Sequence, residues 1–278
     1  MAKYWRDNRR QWKRSSTVTL VLFMLLMQTL MLLMLLGHGI FSFNIDSGDD
    51  SIRTTLDTLG KREDKWTEIV SWEPRAFVYH NFLSKEECEH LINLAKPHMT
   101  KSTVIDDETG DNVDSEVRTS TGMFLRRGQD KVITAIEKRI ADYTFIPVEN
   151  GEDLQVLHYD VGQKYEPHHD FFDDESNLKN VGQRVATVLI YLSDVEEGGE
   201  TVFPDAKKGN ISSGRRLNTK MSECAERGVS VKPKMGDALL FWSLRPDTSE
   251  DISSLHGSCP VIKGNKWSCT KWLHLDEF

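Results

Sequence analysis

Short runs of alternating apolar and polar residues recur through the second half of the chain, and turn-forming residues separate them. This pattern is typical of β-strands. We predict six strands, with the sequences LQVLHY, KYEPHHDFF, RVATVLIYL, GETVF, DALLFW and KWSCTKWLHL. Two helices are predicted before them, one starting at the capping box Ser84-Lys85-Glu86-Glu87 and one over 130–143. This order predicts a mainly β fold with flanking helices (α+β), built as a sandwich or barrel.

The N-terminus differs in composition from the rest of the chain. Residues 17–36 are twenty residues without a charge, enough for about 30 Å of helix. The preceding residues 1–16 contain six basic side chains and one acidic one. We therefore expect a cytosolic tail at 1–16 and an uncleaved transmembrane signal anchor at 17–36, with everything after it in the lumen. The alternative is a cleaved signal peptide, whose apolar core is usually shorter.

Residues 37–73 are polar and lack sustained apolar periodicity, so we expect a lumenal stem there and a folded domain at 74–278. Within that domain, 101–121 is expected to be a mobile loop and 205–234 an excursion from the sheet. The whole chain has a net charge of −8 although its N-terminus is basic. The rest of the chain is therefore strongly acidic, which argues against nucleic-acid binding.

The four cysteines all follow the predicted anchor, and in an oxidising lumen they allow three pairings. Cys259 and Cys269 flank a hairpin-like turn at 263–265, which favours Cys259–Cys269 and leaves Cys88–Cys224 by elimination. Asn210 lies in the sequon Asn210-Ile211-Ser212, a candidate site for N-glycosylation.

A candidate metal site lies on the predicted strands. His168 and Asp170 are two residues apart, so on a strand both would face the same side. His256 could complete a facial set of two histidines and one carboxylate, which suits Fe(II) because it leaves coordination positions open. Taken alone, a His-x-Asp pattern is weak evidence, and His168 could equally be an ordinary surface or core histidine.

Lys266 follows His256 by ten residues and lies on the next predicted strand. A buried ammonium needs an anionic partner, and the distal carboxylate of 2-oxoglutarate would provide one. The competing interpretation is that Lys266 is a solvated turn residue.

Four segments together resemble the catalytic domain of plant prolyl 4-hydroxylases. They are HYDVGQKYEPHHDFF, QRVATVLIYLSDVEEGGETVFP, KMGDALLFW and LHGSCPVIKGNKWSCTKWLH. The resemblance extends from about Pro74 to the C-terminus, and it implies a double-stranded β-helix (jelly roll). It also implies Fe(II) and O₂, with 2-oxoglutarate as cosubstrate and ascorbate as reductant.

The resemblance implies a role for each matching residue. His168, Asp170 and His256 would bind iron, and Lys266 would bind 2-oxoglutarate. The remaining matches are two cosubstrate-pocket residues, Tyr159 and Thr201, an aromatic residue near the iron, Trp272, and two peptide-facing residues, Arg184 and His274. Alternatively, Tyr159, Thr201 and Trp272 are ordinary core, and the last two lie on an outer face.

The implied activity is the hydroxylation of proline to 4-hydroxyproline in proline-rich secretory or cell-wall proteins, coupled to decarboxylation of 2-oxoglutarate to succinate. The expected location is the membrane of the endoplasmic reticulum or Golgi, with type II orientation, and assembly with related hydroxylases is compatible with it. Two alternatives stay open. One is a related hydroxylase with another peptide target, although lysyl and oxygen-sensing prolyl hydroxylases typically have arginine in place of Lys266. The other is a non-catalytic barrel that binds metal or peptide.

Overall fold

Two antiparallel β-sheets contain most of the strands in the described part of the chain. The computed structural model describes residues 27–28, 65–105, 112–114, 116–206 and 221–278. The larger sheet has eight strands, in the spatial order β1 (Trp66–Trp72), β2 (Arg75–His80), β13 (Ala238–Trp242), β9 (Arg184–Tyr191), β16 (Lys266–His274), β7 (Leu154–Tyr159), β6 (Thr121–Leu125) and β3 (Thr100–Lys101). The smaller sheet has four, in the order β12 (Val229–Val231), β11 (Thr201–Phe203), β14 (His256–Ser258) and β8 (Tyr165–His168). Two further pairs are β4 (Thr103–Ile105) with β5 (Asn112–Asp114), and β10 (Glu197–Gly198) with β15 (Val261–Lys263).

The described helices are α1 (Lys85–Ala95), α2 (Lys131–Thr144) and α3 (Glu175–Asn180), with four 3₁₀ turns at Lys96–His98, Val148–Asn150, Ala225–Arg227 and Ile252–Ser254. The capping box is present at the start of α1. The backbone N–H of Glu87 donates to Ser84 Oγ at 3.2 Å, and the Ser84 N–H donates to the Glu87 carboxylate at 2.8 Å. Asp130 caps α2 through the N–H groups of Val132 and Ile133. Both predicted helices are therefore confirmed.

Alternation along the central strands decides which side chains meet the helices and which face the smaller sheet. On β9, Ile190 packs into the helix-side core, whereas Tyr191 packs toward Phe203 of the smaller sheet. The helix-side core contains Leu91, Ile133, Ile136, Ile140, Leu154, Val156, Ile190 and Leu273. A buried ion pair, Lys271 Nζ to Glu137 Oε1 at 2.6 Å, ties α2 to β16. Helices thus cover one face of the large sheet and the small sheet covers the other, as in a jelly roll.

Four sequence-based boundaries differ from the structure. The predicted excursion at 205–234 contains β12, which pairs with β11 in the smaller sheet. Strand β1 lies in the predicted stem, so the folded region begins before residue 74. It pairs with β2 as a hairpin, and six of its seven residues are at least partly open to solvent, which hides any apolar alternation. Part of the expected loop 101–121 forms the hairpin of β4 and β5. The predicted strand 164–172 ends at His168, four residues early.

The predicted disulfide pairing is wrong. Cys224 and Cys259 form the disulfide in the structure, and Cys88 and Cys269 are free, buried thiols. The turn at 263–265 does not close a hairpin, because β15 pairs with β10 while β16 pairs with β7 and β9. Cys269 also points into the helix-side core, together with Cys88. The two cysteines flanking the turn therefore face different environments.

The predicted anchor lies outside the described residues, apart from Met27 and Gln28, and the sequon at Asn210 lies outside them too. Among the helices in the described part of the chain, none has the length and apolar character needed to cross a membrane.

Candidate active site

Two histidines and one aspartate meet in the space between the sheets. His168 ends β8, Asp170 lies in the bend that follows, and His256 begins β14. Strand pairing sets His256 opposite His168. The Nε2 atoms of His168 and His256 lie 3.6 and 3.7 Å from the two Asp170 oxygens. One ligand atom from each residue lies within 4.8 Å of the others, so the three can hold one metal ion.

Backbone carbonyls orient both imidazoles of this triad. Nδ1 of His168 donates to the carbonyl of Glu166 at 2.9 Å, and Nδ1 of His256 donates to that of Ser254 at 3.0 Å. A carbonyl can only accept, so each Nε2 keeps its lone pair and faces the site. Burial also lowers the pKa of His168 well below its usual range. The imidazole is then neutral at pH 7, which is the form that ligates metals.

Asp170 is buried, and its position depends on a bend and on a neighbouring strand. The sequence suggested that His168 and Asp170 converge because both face the same side of one strand. Because β8 ends at His168, the bend after it brings the two residues together instead. Thr187 Oγ1 on β9 donates to Asp170 Oδ2 at 2.6 Å. The intervening His169 instead donates to the carbonyl of Ile252 at 3.1 Å. The large sheet therefore fixes a carboxylate that a loop carries.

The triad lines a cavity, and Lys266 lines the same cavity. Lys266 is 1% exposed, which excludes the solvated-turn interpretation. Its Nζ donates to Ser258 Oγ at 2.8 Å and lies 5.1 and 5.8 Å from the ring centres of Tyr159 and Tyr191. No acidic side chain in the described part of the chain pairs with it. Burial lowers its pKa to about 7, and the charge of Glu200 partly opposes that shift.

Three more predicted residues line the cavity, namely Tyr159, Thr201 and Trp272. Tyr159 lies opposite Lys266 in the pairing of β7 with β16. Thr201 Oγ1 shares a hydrogen bond of 2.8 Å with the Tyr191 hydroxyl. All three side chains are buried, so their positions are consistent both with a role in the pocket and with ordinary core packing.

Arg184 and His274 lie beside the cavity and do not line it. Both bind Glu152, Arg184 through Nε at 2.6 Å and His274 through Nε2 at 2.8 Å. The Arg184 guanidinium also stacks over Trp272, 4.2 Å from the ring centre. His274 is 1% exposed, so it does not lie on an outer face. Their contact with a peptide stays a prediction.

Sequence reasoning missed several cavity residues: Arg118, Tyr165, Thr187, Ser258, Ser268 and Thr270. Some were within reach of the same argument, because Ser258 follows His256 by two residues and Ser268 follows Lys266 by two. No sequence signal marks Thr187 or Arg118, since both reach the site through tertiary packing.

Comparison with known proteins identifies the family of the chain. The model of the 2OG-Fe(II) oxygenase superfamily matches residues 154–274. Probable prolyl 4-hydroxylase 3 of Arabidopsis thaliana is 63% identical over 288 residues, covering 100% of this chain and 99% of that protein. Prolyl 4-hydroxylase 5 of the same plant is 68% identical over 215 residues, covering 77% and 73%. A solved viral collagen prolyl hydroxylase, from Paramecium bursaria Chlorella virus-1, is 30% identical with a TM-score of 0.51, covering 71% of this chain and 94% of the viral one.

The jelly roll, its triad and the matching family model define a 2-oxoglutarate- and Fe(II)-dependent oxygenase. Its metal and cosubstrates are Fe(II), 2-oxoglutarate and O₂. Within that class, the chain belongs to the prolyl 4-hydroxylase family.

Proposed function

We propose that this enzyme hydroxylates proline to 4-hydroxyproline in proline-rich segments of secretory or cell-wall proteins. The reaction is coupled to the decarboxylation of 2-oxoglutarate to succinate by O₂. The relatives at 63% and 68% identity are named as a probable prolyl 4-hydroxylase and a prolyl 4-hydroxylase. The observation that carries the proposal is one cavity that holds both the metal-binding triad and a buried lysine.

We assign Fe(II) to His168, Asp170 and His256. The donor set fits, because both imidazoles present an Nε2 lone pair and the carboxylate is buried beside them. Three protein ligands leave open positions, as an iron centre that must take up a cosubstrate and O₂ requires. A structural zinc site would instead complete its shell with four protein ligands.

We assign the distal carboxylate of 2-oxoglutarate to Lys266. The buried ammonium has a hydroxyl, Ser258 Oγ, and two tyrosine rings around it. The charge of Glu200 acts on it, but no described carboxylate forms an ion pair with it, so an anionic ligand would complete its environment. Tyr159 and Thr201 line the same pocket. The alternative, a related hydroxylase with another peptide target, is less favoured because lysyl and oxygen-sensing prolyl hydroxylases typically have arginine at this position.

The metal and cosubstrate supply the redox chemistry when bound, and the protein supplies position. The backbone carbonyls of Glu166 and Ser254 hold the protons of the two imidazoles on Nδ1. Thr187 holds the carboxylate of Asp170. The surrounding apolar side chains, such as Leu157, Leu189 and Phe241, limit water around the triad. No side chain needs to act as a general acid or base in this scheme.

We propose that the substrate peptide approaches on the side of Trp272 and Arg184, with His274 behind them. The guanidinium is already stacked on the indole and paired with Glu152, so it is held in place before any peptide binds. Proline-rich segments favour the extended polyproline II form, which lowers the entropy lost on binding. Ascorbate would restore iron that oxidises in turnovers without peptide.

We further propose a type II anchor at 17–36 in the endoplasmic reticulum or Golgi, with the catalytic domain in the lumen. The uncharged stretch and the basic tail before it support this topology. A disulfide suits an oxidising lumen. Glycosylation of Asn210 and assembly with related hydroxylases are part of the same proposal.

The decisive experiment measures succinate release from 2-oxoglutarate with and without a poly-proline peptide. Peptide-stimulated turnover is expected from the purified chain with Fe(II). Binding of the peptide without succinate would support a non-catalytic barrel, and stimulation only by unrelated peptides would support a hydroxylase with another target.

The same assay tests the metal ligands. His168→Ala, Asp170→Ala and His256→Ala should each abolish turnover while circular dichroism shows a folded protein. Near-normal turnover of any of these variants at saturating Fe(II) would contradict the triad assignment.

A further inference from the structure

The 3₁₀ turn at Ile252–Ser254 contacts both chain segments that carry the metal-binding triad. The carbonyl of Ser254 accepts from Nδ1 of His256, at the start of β14, at 3.0 Å. The carbonyl of Ile252 accepts from Nε2 of His169 at 3.1 Å. His169 lies between the other two triad residues in the bend after β8. One short turn therefore supplies a hydrogen-bond acceptor to each of the two segments.

The side chain of Asp251 fixes the shape of this turn. Its Oδ1 accepts from the backbone N–H of Ser253 at 3.1 Å and from the Ser253 hydroxyl at 2.6 Å. The backbone carbonyl of Asp251 also accepts from the N–H of Ser254 at 2.8 Å. Asp251 is 6% exposed, so these hydrogen bonds are shielded from water. The carboxylate caps the turn, and the capped turn presents its two carbonyls to the triad segments.

The turn is also fixed to the large sheet. The N–H of Asp251 donates to the carbonyl of Ser243 at 2.9 Å, and the N–H of Ser243 donates to the carbonyl of Val185, on β9, at 3.0 Å. Two cations face the Asp251 carboxylate. Arg245 Nη2 lies 3.9 Å from its Oδ1, and its charge also acts on Arg75 of β2. The buried carboxylate is therefore balanced by positive charge, and the turn links the large sheet to both triad segments.

The strands that carry the triad need such a link, because their own pairing is short and irregular. Strand β8 has four residues and β14 has three. The register of their pairing shifts between His256 and Ser258. Strand pairing therefore supplies few backbone hydrogen bonds at the site, and Asp170 lies beyond the end of β8. Groups that orient the ligands of a metal typically change its affinity by about tenfold to a hundredfold.

We propose that Asp251 and His169 are positioning residues of the metal centre, which act through the turn at 252–254 to hold the two triad segments together before metal binds. This rests on the proposed function, since it takes the triad to be the Fe(II) site. Neither residue belongs to the set that can reach a common metal ion in the described part of the chain. Asp251 shapes the turn, and His169 joins it to the segment after β8. Loss of either leaves all three ligands in the chain but less well arranged.

The test is equilibrium binding of Fe(II) alone to the full chain, measured by calorimetry without O₂ or 2-oxoglutarate. Asp251→Ala removes both side-chain hydrogen bonds of the turn and should raise the Fe(II) dissociation constant by about tenfold to a hundredfold. Asp247→Ala is the matched control. Asp247 Oδ1 accepts from the N–H and the hydroxyl of Ser249 in the same way, at 3.1 and 2.6 Å, but in an exposed position. The control should leave the dissociation constant unchanged, and thermal unfolding checks that both variants are folded.

A second pair of variants tests the link at His169 and decides the matter if Asp251→Ala fails to fold. His169→Phe keeps a ring that can stack on Phe171, whose ring centre lies 4.5 Å away, but it loses the donor to the Ile252 carbonyl. It should weaken Fe(II) binding by about tenfold or more. His169→Gln should recover most of that loss, because its amide can donate to the same carbonyl.

The outcomes separate this inference from the proposed metal site. Unchanged Fe(II) binding in folded Asp251→Ala and His169→Phe would overturn the inference, even if both variants unfold at lower temperature. Equal losses in His169→Phe and His169→Gln would overturn the role of the hydrogen bond to Ile252. Asp170→Ala in the same assay should abolish binding, and unchanged binding there would instead remove the proposed metal site.

Discussion

At the scale of single residues, Lys266 is a basic side chain that the fold buries without an ion-pair partner among the described residues. Burial lowers its pKa to about 7, whereas an ordinary lysine stays protonated to above pH 10. Its surroundings contain two tyrosines, Tyr159 and Tyr191, and the carboxylate of Glu200, which opposes the shift. The charge of this residue in the empty pocket therefore depends on pH within the physiological range.

We predict that the affinity for 2-oxoglutarate falls as the pH rises above about 7. Only the ammonium form of Lys266 pairs with a carboxylate, so binding raises its pKa and takes up a proton above pH 7. The apparent dissociation constant should then increase toward about tenfold per pH unit between pH 7.5 and 9. Calorimetry with Fe(II) and without O₂, at several pH values, measures this slope.

Lys266→Arg is the control, because a guanidinium stays protonated over the whole range. Its affinity should be lower than that of the parent at pH 7, since the group is larger and planar, but nearly independent of pH. A parent chain with a flat profile from pH 6 to 9 would contradict the pKa argument.

Site residues that are close to one another in the sequence could be predicted, whereas those that reach the site through tertiary contacts could not. The spacing of His168 and Asp170 indicated that they converge, although a bend brings them together and not a strand face. Lys266 was predicted from its spacing of ten residues after His256 and from the family resemblance. Thr187 was not, because its contact with Asp170 joins β9 of the large sheet to the bend after β8 and leaves no pattern in the sequence.

At the scale of elements, two glycines, Gly198 and Gly199, precede the strand that carries Thr201. Gly198 has φ +78°, and a Cβ there would lie 2.3 Å from the carbonyl oxygen of Pro260 and 2.7 Å from the Ile262 nitrogen. Both contacts are with backbone atoms, which cannot rotate away. Close pairing of β10 with β15 therefore requires glycine at this position.

Gly198→Ala should destabilise the protein more than Gly162→Ala. Gly162 has a similar φ of +84°, but a Cβ there meets nothing within 4 Å. The backbone strain alone should cost Gly162→Ala about 1–2 kcal/mol, and the clash should at least double that loss in Gly198→Ala. Urea unfolding of the two variants compares the free energies, and equal losses would mean that the close approach to Pro260 is not important.

The strands that were predicted well, β7 and β9, are mostly buried, apolar segments. LQVLHY matches β7 residue for residue, and RVATVLIYL extends one residue beyond β9. Strand β1 was missed, because Trp66, Ile69 and Trp72 are all exposed and the segment shows no buried face. The cysteine pairing was missed for a related reason, since it depends on which sheet each strand joins.

At the scale of the whole molecule, the structure contains one disulfide and two thiols in different surroundings. Cys88 and Cys269 are fully buried in the helix-side core, and burial raises the pKa of each thiol to about 12. Such thiols are unreactive, because the thiolate is the reactive form. The folded domain should therefore hide both of them.

Alkylation without reductant should label neither cysteine in the native protein and both after denaturation. Mass spectrometry of the digest should then find labels on Cys88 and Cys269, and one linked peptide pair joining Cys224 to Cys259. A linked pair containing Cys269 would contradict the observed pairing and restore the one that the sequence suggested.

The proposed topology makes a separate prediction for the chain in its membrane. The basic tail at 1–16 should stay in the cytosol, because the positive charges flanking an apolar segment set its orientation. Protease added to sealed microsomes should then remove only residues before the anchor, and a tag at residue 278 should be protected until detergent opens the vesicles. A C-terminal tag that is digested in sealed vesicles would reverse the orientation. The same samples distinguish a cleaved signal peptide, since the protected fragment would then be released by carbonate extraction instead of remaining with the membrane.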